Sequence, residues 1–257
     1  MISIGYSYPG AFAQYMVPPP LALTQGFVNK VPDNLSLDEA SMAELLACCI
    51  NGQEVVRVKW KDRVVVIGAG PAGCMHVELC YMKGCKKIIL AQRSPFRLDM
   101  AKKKFHAHVY LNSSEEDVVE RVLEETEGFG ADVVIVAAPS REAQRQALEL
   151  VSKRGRVVFF GGLSHGRSEV NIDTNLIHYK ECFITGASSS TGEQNREALS
   201  ILSQGNIKAE DFITHIFPLD RIKEAFRIAK TKRGLRVLVK PWITKKDEEE
   251  LRNHAAI

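Results

Sequence analysis

The tightest constraint in this chain is a glycine-rich turn set between two regular patterns. Val64-Val65-Val66-Ile67 is an unbroken β-branched run, the pattern of a strand buried on both faces. Gly68-Ala69-Gly70-Pro71-Ala72-Gly73 follows directly, and the stretch from Pro71 to about Lys83, closed by Gly84, has the length of a helix. In a G-x-G-x-x-G turn the first glycine permits the sharp exit from the strand. The second lets a pyrophosphate approach the backbone, and the third lets the helix pack against the sheet. An anion there meets free N–H groups and the positive end of the helix dipole. Pro71 opens the helix where its missing N–H costs little. Gly68, Gly70, Pro71, Ala72 and Gly73 are therefore cofactor-binding candidates, and a dinucleotide is the expected ligand. Two other readings stay open: a tight turn with no ligand, and an S-adenosylmethionine site, which also uses a glycine-rich turn after a first strand.

The flanking pattern supports a dinucleotide fold. Strands are expected over Lys87–Ala91, His108–Leu111, Asp132–Ala137, Arg156–Phe160 and Cys182–Thr185. Helices are expected over Pro95–Lys104, from a Ser114 cap to about Glu127, and over Arg141–Val151. Strands alternating with helices imply right-handed crossovers and one parallel sheet, here α/β, doubly wound and six-stranded. Ahead of it, Phe12–Val17 alternates like an edge strand stopped by Pro18-Pro19-Pro20. Ser36 with Glu39 forms a capping-box pattern ahead of a helix from Ala40 to Val56. Lys245–Arg252 reads as a charged tail, frayed or helical.

The cofactor's identity turns on what lies about 20 residues past the glycines, where an NAD site places an Asp or Glu for the ribose hydroxyls. Gln92 stands there, followed by Arg93, Ser94 and Arg97, with no acid. Arginines present planar donor forks that suit a phosphate dianion, and loss of the carboxylate removes its repulsion. Gln92, Arg93 and Arg97, with Ser94 as a further hydroxyl donor, point to NADP(H) over NAD(H). The bland alternative is that the two arginines decorate a loop and a helix start.

Bulk properties exclude some partners. The 34 basic and 31 acidic residues leave a net charge of +3 without basic runs, which argues against nucleic acid. The apolar runs are far shorter than the roughly 20 residues of a membrane span, and no basic, apolar leader pattern opens the sequence. A cytoplasmic location is the expectation, with no membrane partner. The six cysteines sit in apolar strand and helix patterns without C-x-x-C spacing, so reduced, buried thiols are expected rather than disulfides or a zinc cluster.

Several further segments, in order, resemble the zinc-containing medium-chain dehydrogenases, in particular the sorbitol and threonine dehydrogenase branch. They are Gly10-Ala-Phe-Ala-Gln-Tyr15, Glu44-Leu-Leu-Ala-Cys-Cys-Ile-Asn-Gly52, Phe160-Gly-Gly162, Asn175 to Gly186, and Ile213 to Leu219 with Glu224-Ala-Phe226. The resemblance runs from Gly10 to about Lys240. It implies hydride transfer between a nicotinamide and a secondary alcohol or ketone, with zinc acting as a Lewis acid on the oxygen. By the same resemblance Gly161, Gly162 and Leu163 lie along the nicotinamide. Ala187 and Ser188 meet its carboxamide, and Ala137 and Ala138 lie near its ribose. It also implies that residues 51–190 form the dinucleotide domain, with 1–50 and 191–257 as remnants of a GroES-like, β-rich catalytic domain, and that subunits pair as a homodimer or homotetramer through the sheet edge.

Departures from the family pattern matter as much. The family's first hundred or so residues, with a metal-binding Cys, a G-H-E motif and a four-Cys zinc loop, have no counterpart here. Leu45 stands where the family has proline. Glu44 matches a glutamate near the family's zinc, but one carboxylate does not hold a metal, and a solvated or salt-bridged helix residue is its simpler role. No complete metal site is therefore expected. His178 and His215 read as packed, hydrogen-bonded histidines rather than proton carriers. Two functions follow: an NADP(H)-dependent alcohol or polyol dehydrogenase, or a module that binds NADP(H) without catalysis.

Overall fold

The computed structural model describes residues 4–242, so the charged segment Lys245–Arg252 lies outside the described residues. By compactness the chain divides into two units. One runs from Ala43 to Ile207; the other joins residues up to Met42 with those from Lys208 onward.

The larger unit is a parallel sheet wrapped by helices. In chain order, α1 Pro20–Thr24 and α2 Leu37–Ala40 belong to the smaller unit. The larger then runs α3 Ala43–Val55, β1 Arg63–Ile67, α4 Pro71–Met82, β2 Lys87–Gln92, α5 Pro95–Lys104, β3 Val109–Asn112, α6 Val118–Glu125, β4 Ala131–Val136, α7 Arg141–Leu150, β5 Val151–Phe159, α8 Thr174–Lys180, β6 Phe183–Gly186 and α9 Gly192–Ser203. The strand order is β3-β2-β1-β4-β5-β6, with every neighbouring pair parallel. This is the doubly wound α/β arrangement the sequence pattern implies. The order reverses between β1 and β4, which places a crevice at their carboxyl ends.

The β-branched runs explain why the sheet is central. Val64 to Val66 in β1 and Val133 to Val136 in β4 are fully buried. Alternation sends Val65 and Ile67 to the face covered by α6, α7 and α8. Val64 and Val66 face the other way, where α4 lies on β1 and β2 and carries α3 behind it. Each such side chain contributes about 1.5–3 kcal/mol when withdrawn from water. At the opposite end of the strands from the crevice, Arg63 donates two bonds to Asp132, at 2.9 and 3.0 Å, and Arg156 pairs with Asp62 at 2.8 Å.

Three local expectations are corrected. Phe12–Val17 is not a strand. Alternation supplies a face but no ladder partner, and the aromatic residues instead make edge contacts, Phe12 with Phe226 and Tyr15 with Trp242. The helix expected over Ala40–Val56 is two helices, α2 and α3, separated at Ser41-Met42. The Ser36–Glu39 capping box is formed, but α2 closes after one turn, with the Ser41 hydroxyl donating to the Asp38 carbonyl at 2.6 Å. Ser114 does not cap α6. Its hydroxyl is taken by Asn112 Oδ1 at 2.7 Å, and Asp117 accepts from the N–H groups of Val119 and Glu120 instead. A carboxylate at that position also complements the helix dipole. The helix then ends at Glu125, two residues short of expectation.

In the smaller unit, β7 Ile213–Pro218 and β8 Arg236–Lys240 pair in parallel, connected through α10 Ile222–Thr231, with short 3₁₀ turns at Ala209–Asp211 and Leu219–Arg221. Neither strand was recognised in the sequence, where Ile213–Leu219 entered only as a family-resembling segment. Both strands are half-buried throughout, and Lys240 pairs with Asp38 at 2.7 Å. Among the described residues, no helix is long and apolar enough to cross a membrane.

Candidate dinucleotide site

The glycine turn occupies the carboxyl end of β1, and each glycine does something different. Gly68 takes φ +110°, a conformation that disfavours a side chain; a Cβ there would also meet the Ala138 Cβ at 3.0 Å. A Cβ on Gly73 would stand 1.7 Å from the Gly68 carbonyl oxygen, so no side chain fits this backbone at all. That contact is the close helix–strand packing the third glycine permits. Gly70, the N-cap of α4, has no left-handed strain, and its missing Cβ faces open space except for Arg97 Nη1 at 3.6 Å. Two glycines are therefore demanded by the protein itself, and the middle one leaves an approach to the backbone.

That approach has the character of an anion site. Pro71 starts α4 and Ala72 follows, so the first N–H groups of the helix point out without intrahelical partners. Arg97, half-buried in the first turn of α5, brings its guanidinium beside Gly70, and burial pulls its pKa below the ordinary arginine value. Arg93 is exposed at the end of β2. The two arginines thus stand in different environments.

Gln92 has a role that composition did not reveal. Its Oε1 accepts from the N–H of Ala69 at 2.8 Å, tying the end of β2 to the glycine turn. The sequence signal was the amide where an acid is usual; the bond itself depends on two strands lying side by side.

The remaining candidates line the neighbouring strand ends. Ala137 and Ala138 both donate to the Ile67 carbonyl at 3.0 Å, which turns the chain out of β4 next to Gly68. Gly161 donates to Val136 at 2.8 Å, and a Cβ there would lie 2.8 to 2.9 Å from backbone atoms of Ala137 and Ala138. Gly162 borders open space and Leu163 is half-buried. Ala187 follows β6 and donates to Phe159 at 3.4 Å, and Ser188 is exposed. Ser189, next in line, takes φ +65°, unusual for a residue with a side chain, and its carbonyl accepts from Asn51 on α3 at 2.9 Å. The backbone around Gly68, Ala137, Ala138 and Gly161 is thus brought together at the switch point.

The same geometry answers whether the residues present fit the groups implied. A cradle with an open middle glycine, free helix N–H groups and an adjacent guanidinium fits a dinucleotide pyrophosphate. Zinc does not fit. Glu44, exposed in the first turn of α3, accepts from the Cys48 thiol at 3.3 Å. Burial, reinforced by the Glu44 charge, pushes that thiol up to about 11. A catalytic zinc takes three protein ligands, and among the described residues no three His, Cys, Asp or Glu side chains converge. His178, on α8, contacts Tyr179 edge-on at 4.8 Å, and His215 lies in β7 of the smaller unit, its Nδ1 3.1 Å from the Thr214 hydroxyl. Neither belongs to the crevice residues just described.

One buried histidine escaped the sequence reading. His76 on α4 is fully buried against Phe160, ring centroids 4.6 Å apart, and neither ring nitrogen has a hydrogen-bond partner among the described residues. Burial, aided by the Lys83 charge, drives its pKa down to about 3, so it stands neutral.

Comparison with known proteins gives a consistent picture. The family model described as zinc-binding dehydrogenase matches residues 71–204. The chain is 31% identical over 235 residues to erythritol/L-threitol dehydrogenase of Mycolicibacterium smegmatis, covering 91% of this chain and 62% of that protein. Two solved structures share the fold at a TM-score of 0.82, each covering 93% of this chain and 68% of the other. One is a short chain alcohol dehydrogenase of Escherichia coli complexed with NADH, 27% identical; the second is a zinc-binding dehydrogenase of Sinorhizobium meliloti bound to NADP, 26% identical. The chain spans about three fifths of the length of the curated relatives it matches.

Proposed function

The chain belongs to the zinc-binding dehydrogenase family, and on that premise we propose that it binds NADP(H) in preference to NAD(H) within a dehydrogenase acting on alcohols or polyols. The reaction is hydride transfer between the nicotinamide and a secondary alcohol or ketone. The observation that carries this reading is the open backbone at Gly70 with Arg97 Nη1 beside it. The pyrophosphate would lie against Gly70, Pro71, Ala72 and Gly73 at the start of α4, with Arg97 neutralising it from α5.

Cofactor preference rests on Gln92 and Arg93. With its Oε1 engaged by Ala69, Gln92 offers a ligand the N–H donors of its amide. Donors suit a 2′-phosphate, whereas an acid in that position would accept from ribose hydroxyls. Arg93, exposed and adjacent, adds a planar donor fork. Ala137, Ala138, Gly161, Gly162, Leu163, Ala187 and Ser188 would border the nicotinamide half. The exposed edge strand β6, with Phe183 outward, would pair subunits as a dimer or tetramer, and the smaller unit would be part of a GroES-like catalytic domain.

A second reading, an NADP(H)-binding module without catalysis, is favoured by the surroundings of Glu44, whose carboxylate is met by a hydrogen-bonded thiol rather than by further ligands. Calorimetric titration with NADPH and NADH, on the native chain and an Arg93→Ala/Arg97→Ala variant, tests the shared premise. Tighter NADPH binding that the variant loses supports it; equal or tighter NADH binding overturns the phosphate argument. Turnover of a panel of secondary alcohols, followed as NADPH absorbance, then separates enzyme from module.

A further inference from the structure

The carboxyl end of α4 closes in a way that brings two cysteines together. Lys83 is the C-cap, and Gly84 follows at φ +68°, the left-handed conformation that glycine adopts without a Cβ penalty. The N–H of Gly84 donates to the Tyr81 carbonyl at 2.9 Å, and that of Cys85 to the Cys80 carbonyl at 3.0 Å. These two bonds define a Schellman motif, in which the third residue from the helix end and the second beyond its cap have their side chains in contact. Hydrophobic residues usually occupy both positions. Here both positions carry thiols, near enough that each shifts the other's ionisation.

We propose that Cys80 and Cys85 form a redox-active dithiol, a modification site at which hydrogen peroxide generates an intrachain disulfide. Neither residue belongs to the dinucleotide site described above. Their neighbourhood assigns the order of events. Cys80 is fully buried and its sulfur accepts from Gln53 Nε2 at 3.2 Å, whereas Cys85 retains 6% exposure and donates to the Lys59 carbonyl at 3.5 Å. Burial, reinforced by the contact with Cys85, holds the Cys80 thiol well above its ordinary value. Contact with Cys80 holds Cys85 below its own. Thiolate is the attacking form, so Cys85 reacts first.

The steps balance. The Cys85 sulfur attacks one peroxide oxygen, the O–O bond breaks, and the hydroxide released takes the thiol proton as water, leaving a sulfenic acid. The Cys80 sulfur then attacks the Cys85 sulfur, the S–S bond forms, the S–O bond breaks, and the Cys80 proton leaves with that hydroxyl as a second water. Two electrons pass from the thiol pair to the peroxide. The six-residue loop so closed already holds its native backbone hydrogen bond, so oxidation needs side-chain rotation rather than refolding. Cys48, Cys49, Cys74 and Cys182 are not part of this pair.

Peroxide treatment of the full chain, followed by thiol titration in denaturant, is expected to lower the count from six to four. Trypsin cuts between the partners at Lys83, so the map should show peptide Val64–Lys83 joined to Gly84–Lys86, two hydrogens lighter than the separate peptides. Because Val64–Lys83 also holds Cys74, the link must persist in Cys74→Ser and vanish in Cys80→Ser. A count that stays at six, thiol loss without the joined peptides, or a link surviving Cys80→Ser each overturns the proposal. Where a variant fails to fold, fragmentation of the joined peptides from the native chain assigns the link to Cys80, as expected, or to Cys74, which overturns the proposal.

Discussion

The two units of this chain solve the burial problem to very different degrees. In the larger, β1, β2 and β4 are fully buried along most of their length, because helices cover both faces of a six-stranded parallel sheet. In the smaller, two parallel strands are half-buried at every position, and Tyr6, Phe12, Tyr15, Phe226 and Trp242 are exposed. Both units use parallel strands joined by helices. The difference is the extent of the sheet: six strands with helices on both faces bury far more than two strands packed with one helix, and a two-stranded sheet by itself is marginal in water. Where the packing is saturated, single atoms are constrained; where it is not, substitutions should be absorbed.

The largest effect should come from Gly73→Ala. Its Cβ meets the Gly68 oxygen, so the turn or α4 must move, at an expected cost of about 3 kcal/mol or more, with loss of nucleotide binding. Gly70→Ala is the contrasting substitution. It should leave the melting temperature nearly unchanged and still weaken NADPH, because the added methyl occupies the open approach; equal melting losses for both would break the argument.

Next in size is Leu90→Ala, in fully buried β2, which should cost about 3 kcal/mol in denaturant titration. Val239→Ala, in half-buried β8, should cost less than about 1 kcal/mol. Comparable losses would mean that the smaller unit is packed as tightly as the larger.

Saturated packing also carries a cost, and His76 exposes it. Its imidazole takes a proton near pH 6.5 in the unfolded chain but only near pH 3 when buried. The unfolded state therefore binds more protons between these values, and stability falls as pH drops below 6.5, by about 2 kcal/mol at pH 5. His76→Leu should flatten that part of the stability–pH curve. A slope unchanged in the variant would assign the pH dependence elsewhere.

The smallest effect belongs to the less buried unit. Ser36→Ala removes the capping box of α2, at about 1 kcal/mol, and should appear as faster amide exchange at Leu37–Ala40 with little change in β1 or β4. Slower exchange in α2 would contradict the cap's role.

Legibility in the sequence followed the same division. Strands β1 and β4 were readable because long β-branched runs, buried along most of their length, leave no other solution. Phe12–Val17 misled because alternation alone does not create a hydrogen-bonding partner, and β7 and β8 were passed over because such short runs, β8 bounded by Arg236 and Lys240, carry little pattern. Around the turn, glycine spacing located the anion cradle. The Ala69–Gln92 bond and the exposed setting of Arg93 against the half-buried one of Arg97 required neighbours from separate strands.

The sequence by itself determined the parallel sheet, the glycine turn at its switch point and the absence of an acid after β2, because local periodicity and backbone stereochemistry dictate each. Only the tertiary structure decided that Gly73 is sterically obligatory while Gly70 is open, that Gln92 holds the turn, that His76 stands buried and neutral, and that Cys80 and Cys85 close the same turn at the end of α4. Those facts depend on distances between elements, and such distances are set by packing, which no single segment encodes.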